Sequence, residues 1–511
     1  MKERMMMQIS IGFVKWFLPF YLFTFLPLNA SAQRRMPCIR NIPTDKAGTR
    51  ATLRYPSKDW DANKTYRQAV VLITFADTDF SMADPNTYYD NLFNKKGFNE
   101  GYGPGCVADY FRDQSSGLFN LQFDIYGPIK VSISAKGSSS NYGYSAMKEA
   151  LAALDTLTTQ DFSVYDWNGD GVVEQMLFVA AGLCGNQASG YIWPNTDYTT
   201  LNAPGKKEMV NTCITCELWR DKTLCGIGTI CHEFAHCLGL PDIYPTSGSS
   251  YFSVVDEWDL MDGGNYTNKG WCPPNLSTLE KMLLGWGTPT ELTEPTTITE
   301  MKPVSEGGAT YLIRNSGCTN EYYLLENRRQ TKWDYGIPGN GLAIFHVDYD
   351  QERWHFNEVN IADTLFRYDL FHADGKDYKE WDPDNNGKDL GKYTMDDWLR
   401  NRYLSTSVYP FTNPETLFIN EGLTDGTSPA ATLYNANADG AKFMQKAITN
   451  IQVASDGTIS FDFMQVPSGI NELRIENSEL KDSWYDLQGR RLQGPPTGKG
   501  VFIHKKKKVI R

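Results

Sequence analysis

The stretch His232-Glu233-Phe234-Ala235-His236-Cys237-Leu238-Gly239-Leu240-Pro241-Asp242 decides the reading of this chain. Histidines four residues apart stand about one helical turn apart, so both imidazoles leave one face and can share a divalent metal. The pattern predicts a helix over residues 225–238, ended by Gly239 and kept from continuing by Pro241. Gly239 lets the chain turn sharply, so that Asp242 can return an oxygen to the same ion. His232, His236 and Asp242 are therefore the candidate zinc ligands. Glu233, beside the open coordination position, is the candidate general acid/base. Zinc would lower the pKa of a bound water to roughly 7. The chain has six histidines, and these two are the only ones between residues 33 and 345.

The continuation HExxHxxGxxD has the metzincin spacing, with Asp as its last member. Met261, within Trp258-Asp259-Leu260-Met261-Asp262-Gly263, is placed to be the Met-turn under the site. Asp256, Glu257 and Asp259 also follow the helix. Glu257 lies where a gluzincin would carry a metal-binding glutamate on a second helix, but residues 251–261 read as strand and turn.

Working outward, the 511-residue chain exceeds one compact core. Its formal net charge of -12 gives no electrostatic reason to expect nucleic-acid binding. Lys2 and Arg4, an apolar run over residues 11–28 and Ala30-Ser31-Ala32 read as a signal peptide cleaved near Ala32. An N-terminal membrane anchor is the alternative. No second long apolar stretch follows, so no stable membrane insertion is expected. The expected organisation is a signal peptide over 1–32, a leader or propeptide segment over 33–66, and a catalytic domain over 67–295. A β-rich accessory region over 296–468 and a small β tail over 469–511 complete it. The fold class is α+β and zincin-like, with the site in a cleft between an upper strand-and-helix half and a lower half holding the Met-turn. Ala69-Val70-Val71-Leu72-Ile73-Thr74-Phe75 and residues 176–181 read as buried strands, residues 118–125 as an alternating strand, and residues 107–114 and 144–157 as helices.

Residues 67–375 resemble the immune-inhibitor-A-like bacterial metallopeptidases. The elements occur in order: Asp109-Tyr110-Phe111-Arg112, the aspartate-rich residues 165–174, Ile192-Trp193-Pro194, the zinc helix, the Met-turn, Leu284-Gly285-Trp286, Glu326-Asn327-Arg328 and Pro338-Gly339-Asn340-Gly341. The resemblance implies a secreted endopeptidase made as a zymogen, holding zinc and often calcium, and acting on proteins or peptides. Asp166, Asn168 and Asp170 alternate as in the first half of an EF-hand loop, with Val172 and Glu174 as further oxygen donors. Leu177 replaces the bidentate Glu, so a structural calcium site is expected and not a sensor. A solvated turn is the alternative. Asp382-Pro383-Asp384-Asn385-Asn386-Gly387 repeats the spacing and reads first as a turn.

All ten cysteines lie beyond residue 32, where export permits disulfides. Cys231 and Cys237 should not pair with each other. Cys213 and Cys216 read as disulfide partners or buried thiols before they read as a redox pair or half a metal site. Cys38 is either a disulfide partner or a thiolate that blocks zinc in a zymogen. The last segment, with Trp484-Tyr485-Asp486-Leu487-Gln488-Gly489, resembles type IX secretion sorting domains, which would make secretion machinery a partner. Its other reading is a terminal hairpin with solvated lysines. Two further readings of the whole chain are a catalytically inactive binding or adhesion protein and a zinc amidase. Retention of Glu233 argues against the first, because binding needs no general base.

Overall fold

The computed structural model describes residues 60–138, 140–186, 188–246, 254–361, 365–376 and 404–465, with strand pieces at 484–485, 491–492, 501–504 and 507–510. The signal peptide, Cys38, and the loop over residues 382–387 lie outside the described residues, as does most of the leader.

The first strand, β1 (Thr65–Thr74), is apolar on both faces and sits inside a sheet. Its side chains alternate between two cores. Val70 and Leu72 join one, and Ala69, Val71 and Ile73 the other. Helices α1 (Pro85–Asn94) and α2 (Val107–Gln114) lead to β2 (Asn120–Lys130), which pairs parallel with β1. Helix α3 (Tyr144–Leu157) follows, then β3 (Val173–Leu183), β4 (Asn195–Tyr198) and β5 (Met209–Leu218). The sheet order is β2-β1-β3-β5-β4, all parallel except the edge strand β4, which runs antiparallel to β5. Helices α4 (Gly228–Cys237) and α5 (Thr278–Leu284) complete this half.

The remainder is β-rich. Strands β6 (Thr290–Glu291), β7 (Thr296–Met301), β8 (Tyr311–Arg314), β9 (Glu321–Arg328) and β10 (Gly341–Asp348) follow in sequence. A second sheet joins Tyr368–Leu370, β10, β9, β8 and β6 in that order. β7 pairs instead with Ile459–Phe463, which also pairs with Ile448–Val453. One hydrophobic core runs through both regions: Phe234 of α4 belongs to the same cluster as Leu324, Phe345 and Val347. The strand pieces at 484–485, 491–492, 501–504 and 507–510 form a four-stranded antiparallel sheet. None of the helices among the described residues is long and apolar enough to cross a membrane.

The helices expected over 107–114 and 144–157 are present with those bounds. Helix α4 is shorter than its sequence pattern. It starts at Gly228 and not at residue 225, because Cys225 N–H donates to Glu217 O and extends the pairing of β5. Gly228 also meets neighbouring backbone, since a Cβ there would lie 2.1 Å from Asn265 O. Residues 254–261 form no strand; Asp256–Trp258 is a single 3₁₀ turn. Cys216 bonds Cys184, while Cys213, Cys231 and Cys237 are buried thiols. The Cys213–Cys216 pair is thus neither a redox couple nor half a metal site.

Candidate metal centre

Helix α4 packs against β4, β5 and residues 264–270. All ten of its residues are buried. His232 and His236 each fix one ring nitrogen on backbone: His232 Nδ1 on Leu260 O at 2.8 Å, and His236 Nδ1 on Leu240 O at 2.7 Å. A carbonyl only accepts, so each Nδ1 carries the proton and each Nε2 is left with its lone pair for a metal.

The turn at Gly239 (φ +99°) brings Asp242 back to those nitrogens. Asp242 Oδ1 lies 3.3 Å from His232 Nε2 and 3.1 Å from His236 Nε2. These three atoms are buried and lack hydrogen-bond partners. Ligands ~2.0–2.1 Å from a tetrahedral ion stand roughly 3.3–3.4 Å apart, so the spacing and the N, N, O donor set fit zinc. Among the described residues, only His232, His236 and Asp242 bring three such ligand atoms within 4.8 Å of one another. Asp256, Glu257 and Asp259 do not join them.

Without a cation, a proton takes its place electrostatically. Burial by itself lowers the His232 pKa, but the adjoining Asp242 carboxylate outweighs it and raises the ring to about 9. Asp242 is held well below the usual carboxylate range by the two imidazoles, despite its burial.

Glu233 is fully buried beside this set. Thr196 on β4 donates its hydroxyl to Glu233 O at 2.7 Å and lies 3.1 Å from Glu233 Oε2. Met261 is buried, and its carbonyl accepts from Ile243 N–H at 2.9 Å. Asp262 Oδ2 accepts from the N–H groups of Val254, Val255 and Asp256, each at 2.9 Å. The fully buried Arg328 donates to Trp258 O and Glu326 Oε2 and grips Asp334 with two nitrogens. Asn357, from the β-rich half, contacts Asp242 from behind.

The distant Thr196 and Asn357 carry no local motif and escape a reading of the sequence. The side chains of the set are buried: His232, His236, Asp242 and Glu233 are each 1% exposed or less.

The Asp166 loop turns its oxygens onto its own backbone. Asp166 accepts from the N–H groups of Gly169, Asp170 and Gly171. Asn168 Oδ1 accepts from Asp170 N–H, and Asp170 Oδ1 from Val172 N–H. Glu174 accepts from the N–H groups of Trp167 and Asn168, and burial pushes its carboxyl up to about 7.

Residues 44–284 match the family described as immune inhibitor A peptidase M6, catalytic domain. This stretch is a peptidase M6 domain. The chain is similar to immune inhibitor A of Bacillus thuringiensis subsp. alesti. The identity is 24% over 267 residues, covering 42% of this chain and 38% of the relative. The pre-pro-metalloprotease PrtV of Vibrio cholerae serotype O1 is also 24% identical, over 271 residues, covering 45% of this chain and 28% of the relative. The chain thus spans less than half the length of these curated relatives. An M6 catalytic domain followed by a β-rich remainder agrees with the zincin-like α+β class.

Proposed function

We propose that the chain is a secreted zinc-dependent endopeptidase acting on proteins or peptides. The reading rests on one observation: His232 Nε2, His236 Nε2 and Asp242 Oδ1, all without hydrogen-bond partners, converge beside Glu233. Bound at those atoms, zinc would supply Lewis acidity toward a water and a scissile carbonyl. Glu233 would take the proton from the attacking water and return it to the leaving amine. Thr196, adjoining Glu233 Oε2, would steady that carboxylate. Leu260 O and Leu240 O would hold the two rings in one tautomer throughout.

The apolar N-terminal run and the sorting-like tail support export. Calcium at the Asp166 loop is proposed from its spacing alone, with equilibrium dialysis of Asp170→Ala against the parent as its check.

Casein or gelatin cleavage by purified protein, before and after limited proteolysis, tests the reading. Cleavage should vanish with chelator, return with zinc and be absent in Glu233→Ala. A folded, zinc-loaded protein that leaves every peptide intact would instead be a binding protein.

A further inference from the structure

Two buried carboxyl groups, Asp259 and Glu280, meet between the turn over residues 259–264 and helix α5. Each has one oxygen engaged by backbone. Asp259 Oδ1 accepts Met261 N–H at 2.8 Å, and Glu280 Oε2 accepts Ser277 N–H at 2.6 Å. The other two oxygens, Asp259 Oδ2 and Glu280 Oε1, are buried and meet no N–H or hydroxyl of another group. Two bare carboxylates cannot share a dry site, so one must hold a proton and donate it to the other. Among the described residues no third metal-binding atom joins them within 4.8 Å, so a proton fits the gap better than a cation.

Glu280 is the one that holds it. Burial raises its carboxyl well above the usual range, and the Asp259 charge adds to this. Burial also lifts Asp259, to about 6, while Met261 N–H and the Glu280 hydroxyl oppose the rise. Asp262 adds a negative charge beside the pair and Arg328 a positive one, but Arg328 is committed to Asp334 and Glu326. Lys281, next in α5, and Tyr110 and Tyr368, both kept neutral by burial, complete the surroundings.

The pair is two bonds from the candidate metal centre. Asp259 holds Met261 N–H through its side chain and Gly264 N–H, at 2.8 Å, through its carbonyl. Between these anchors, Leu260 O accepts from His232 Nδ1. Met261 O accepts from Ile243 N–H, next to Asp242.

We propose that Glu280 is a positioning residue for this centre: protonated at Oε1, it donates to Asp259 Oδ2 and fixes the turn whose Leu260 carbonyl orients His232. The inference rests on His232 being a zinc ligand. An O–H donor facing a carboxylate makes a short, charge-assisted bond, about twice as strong as a neutral one. Removing the donor strands a buried carboxylate oxygen, and Asp259 then no longer holds Met261 N–H in place.

Infrared difference spectroscopy of the full chain against Glu280→Gln at neutral pH reads the proton directly. The variant should lose the C=O stretch of one protonated carboxyl. Zinc competition with a chromophoric chelator reads the consequence. Glu280→Gln, whose amide still donates to Asp259 and accepts from Ser277, should bind zinc as the parent does. Glu280→Met should bind it about 10–100-fold more weakly. In an Asp259→Ala background Glu280→Met should cost nothing further, because the partner is already gone. Glu280→Gln changes the fewest contacts and carries the test if Glu280→Met does not fold. An unchanged carboxyl band in Glu280→Gln, parent-like zinc affinity in folded Glu280→Met, or additive losses in the double variant would overturn the inference and leave the zinc reading standing. A parent that binds no zinc would overturn both.

Discussion

Asn357 brackets Asp242 with both ends of its carboxamide. Its Oδ1 accepts the Asp242 N–H at 2.6 Å, and its Nδ2 donates to Asp242 Oδ2 at 2.7 Å. The second bond occupies the oxygen facing away from the histidines and leaves Oδ1 pointed at them. Outer hydrogen bonds of this kind are typically worth 10–100-fold in metal affinity or activity. Asn357→Ala should therefore weaken zinc binding by about that factor, read by competition with a chromophoric chelator. Asn357→Asp, which sets carboxylate against carboxylate, should weaken it further.

Arg328 fastens residues 256–258 to the β-rich half. It is fully buried, holds Asp334 with two nitrogens and reaches Trp258 O. Arg328→Met would strand Glu326 and Asp334 without their counter-charge. Removing one partner of a buried ion pair costs about 3–5 kcal/mol, so urea unfolding should show a loss of that size. Arg328→Lys should recover only part of it, because an ammonium cannot reproduce the two-nitrogen grip.

Gly228 opens α4 where backbone leaves no room for a side chain. In an exposed helix Gly→Ala gains about 1 kcal/mol. Here the new Cβ would stand 2.1 Å from Asn265 O. Gly228→Ala should reverse that sign, lowering the melting temperature and the zinc affinity together. An increase in both would contradict the packing described.

Glu321 supplies the acid limit of the β-rich half. It accepts from His346 Nε2, the N–H groups of Tyr434 and Asn435, and Asn315 Nδ2. Burial raises its pKa, but His346 and the other donors prevail and depress it to about 2. A depressed carboxylate stabilises the fold fully above its unfolded pKa, near 4.5, and the gain is lost as pH falls toward about 2. Glu321→Gln should cost about 3 kcal/mol at neutral pH, with the difference from the parent shrinking below pH 4.5. Denaturant melts at several pH values check this.

The clustering of the candidate metal set was legible in the sequence because its geometry is local. Helical spacing places His232 against His236, and Gly239 returns the chain within six residues. The long apolar strands and helices were legible for the same reason. Their periodicity records which faces they bury, as the alternation of Val70 and Val71 between two cores does. What escaped is long-range. Asn357 and Asp242 are 115 residues apart, and nothing in the local pattern at either one names its partner. The shortened start of α4 depends on Asn265 and Glu217, which reach it only through the fold.

The most direct test of the account is anomalous diffraction at the zinc edge from crystals of the zinc-loaded protein. The account expects one strong peak about 2.0–2.2 Å from His232 Nε2, His236 Nε2 and an Asp242 oxygen, kept in Glu233→Gln although that variant cleaves no casein. A peak away from these atoms, or none in protein that still cleaves casein, would contradict it.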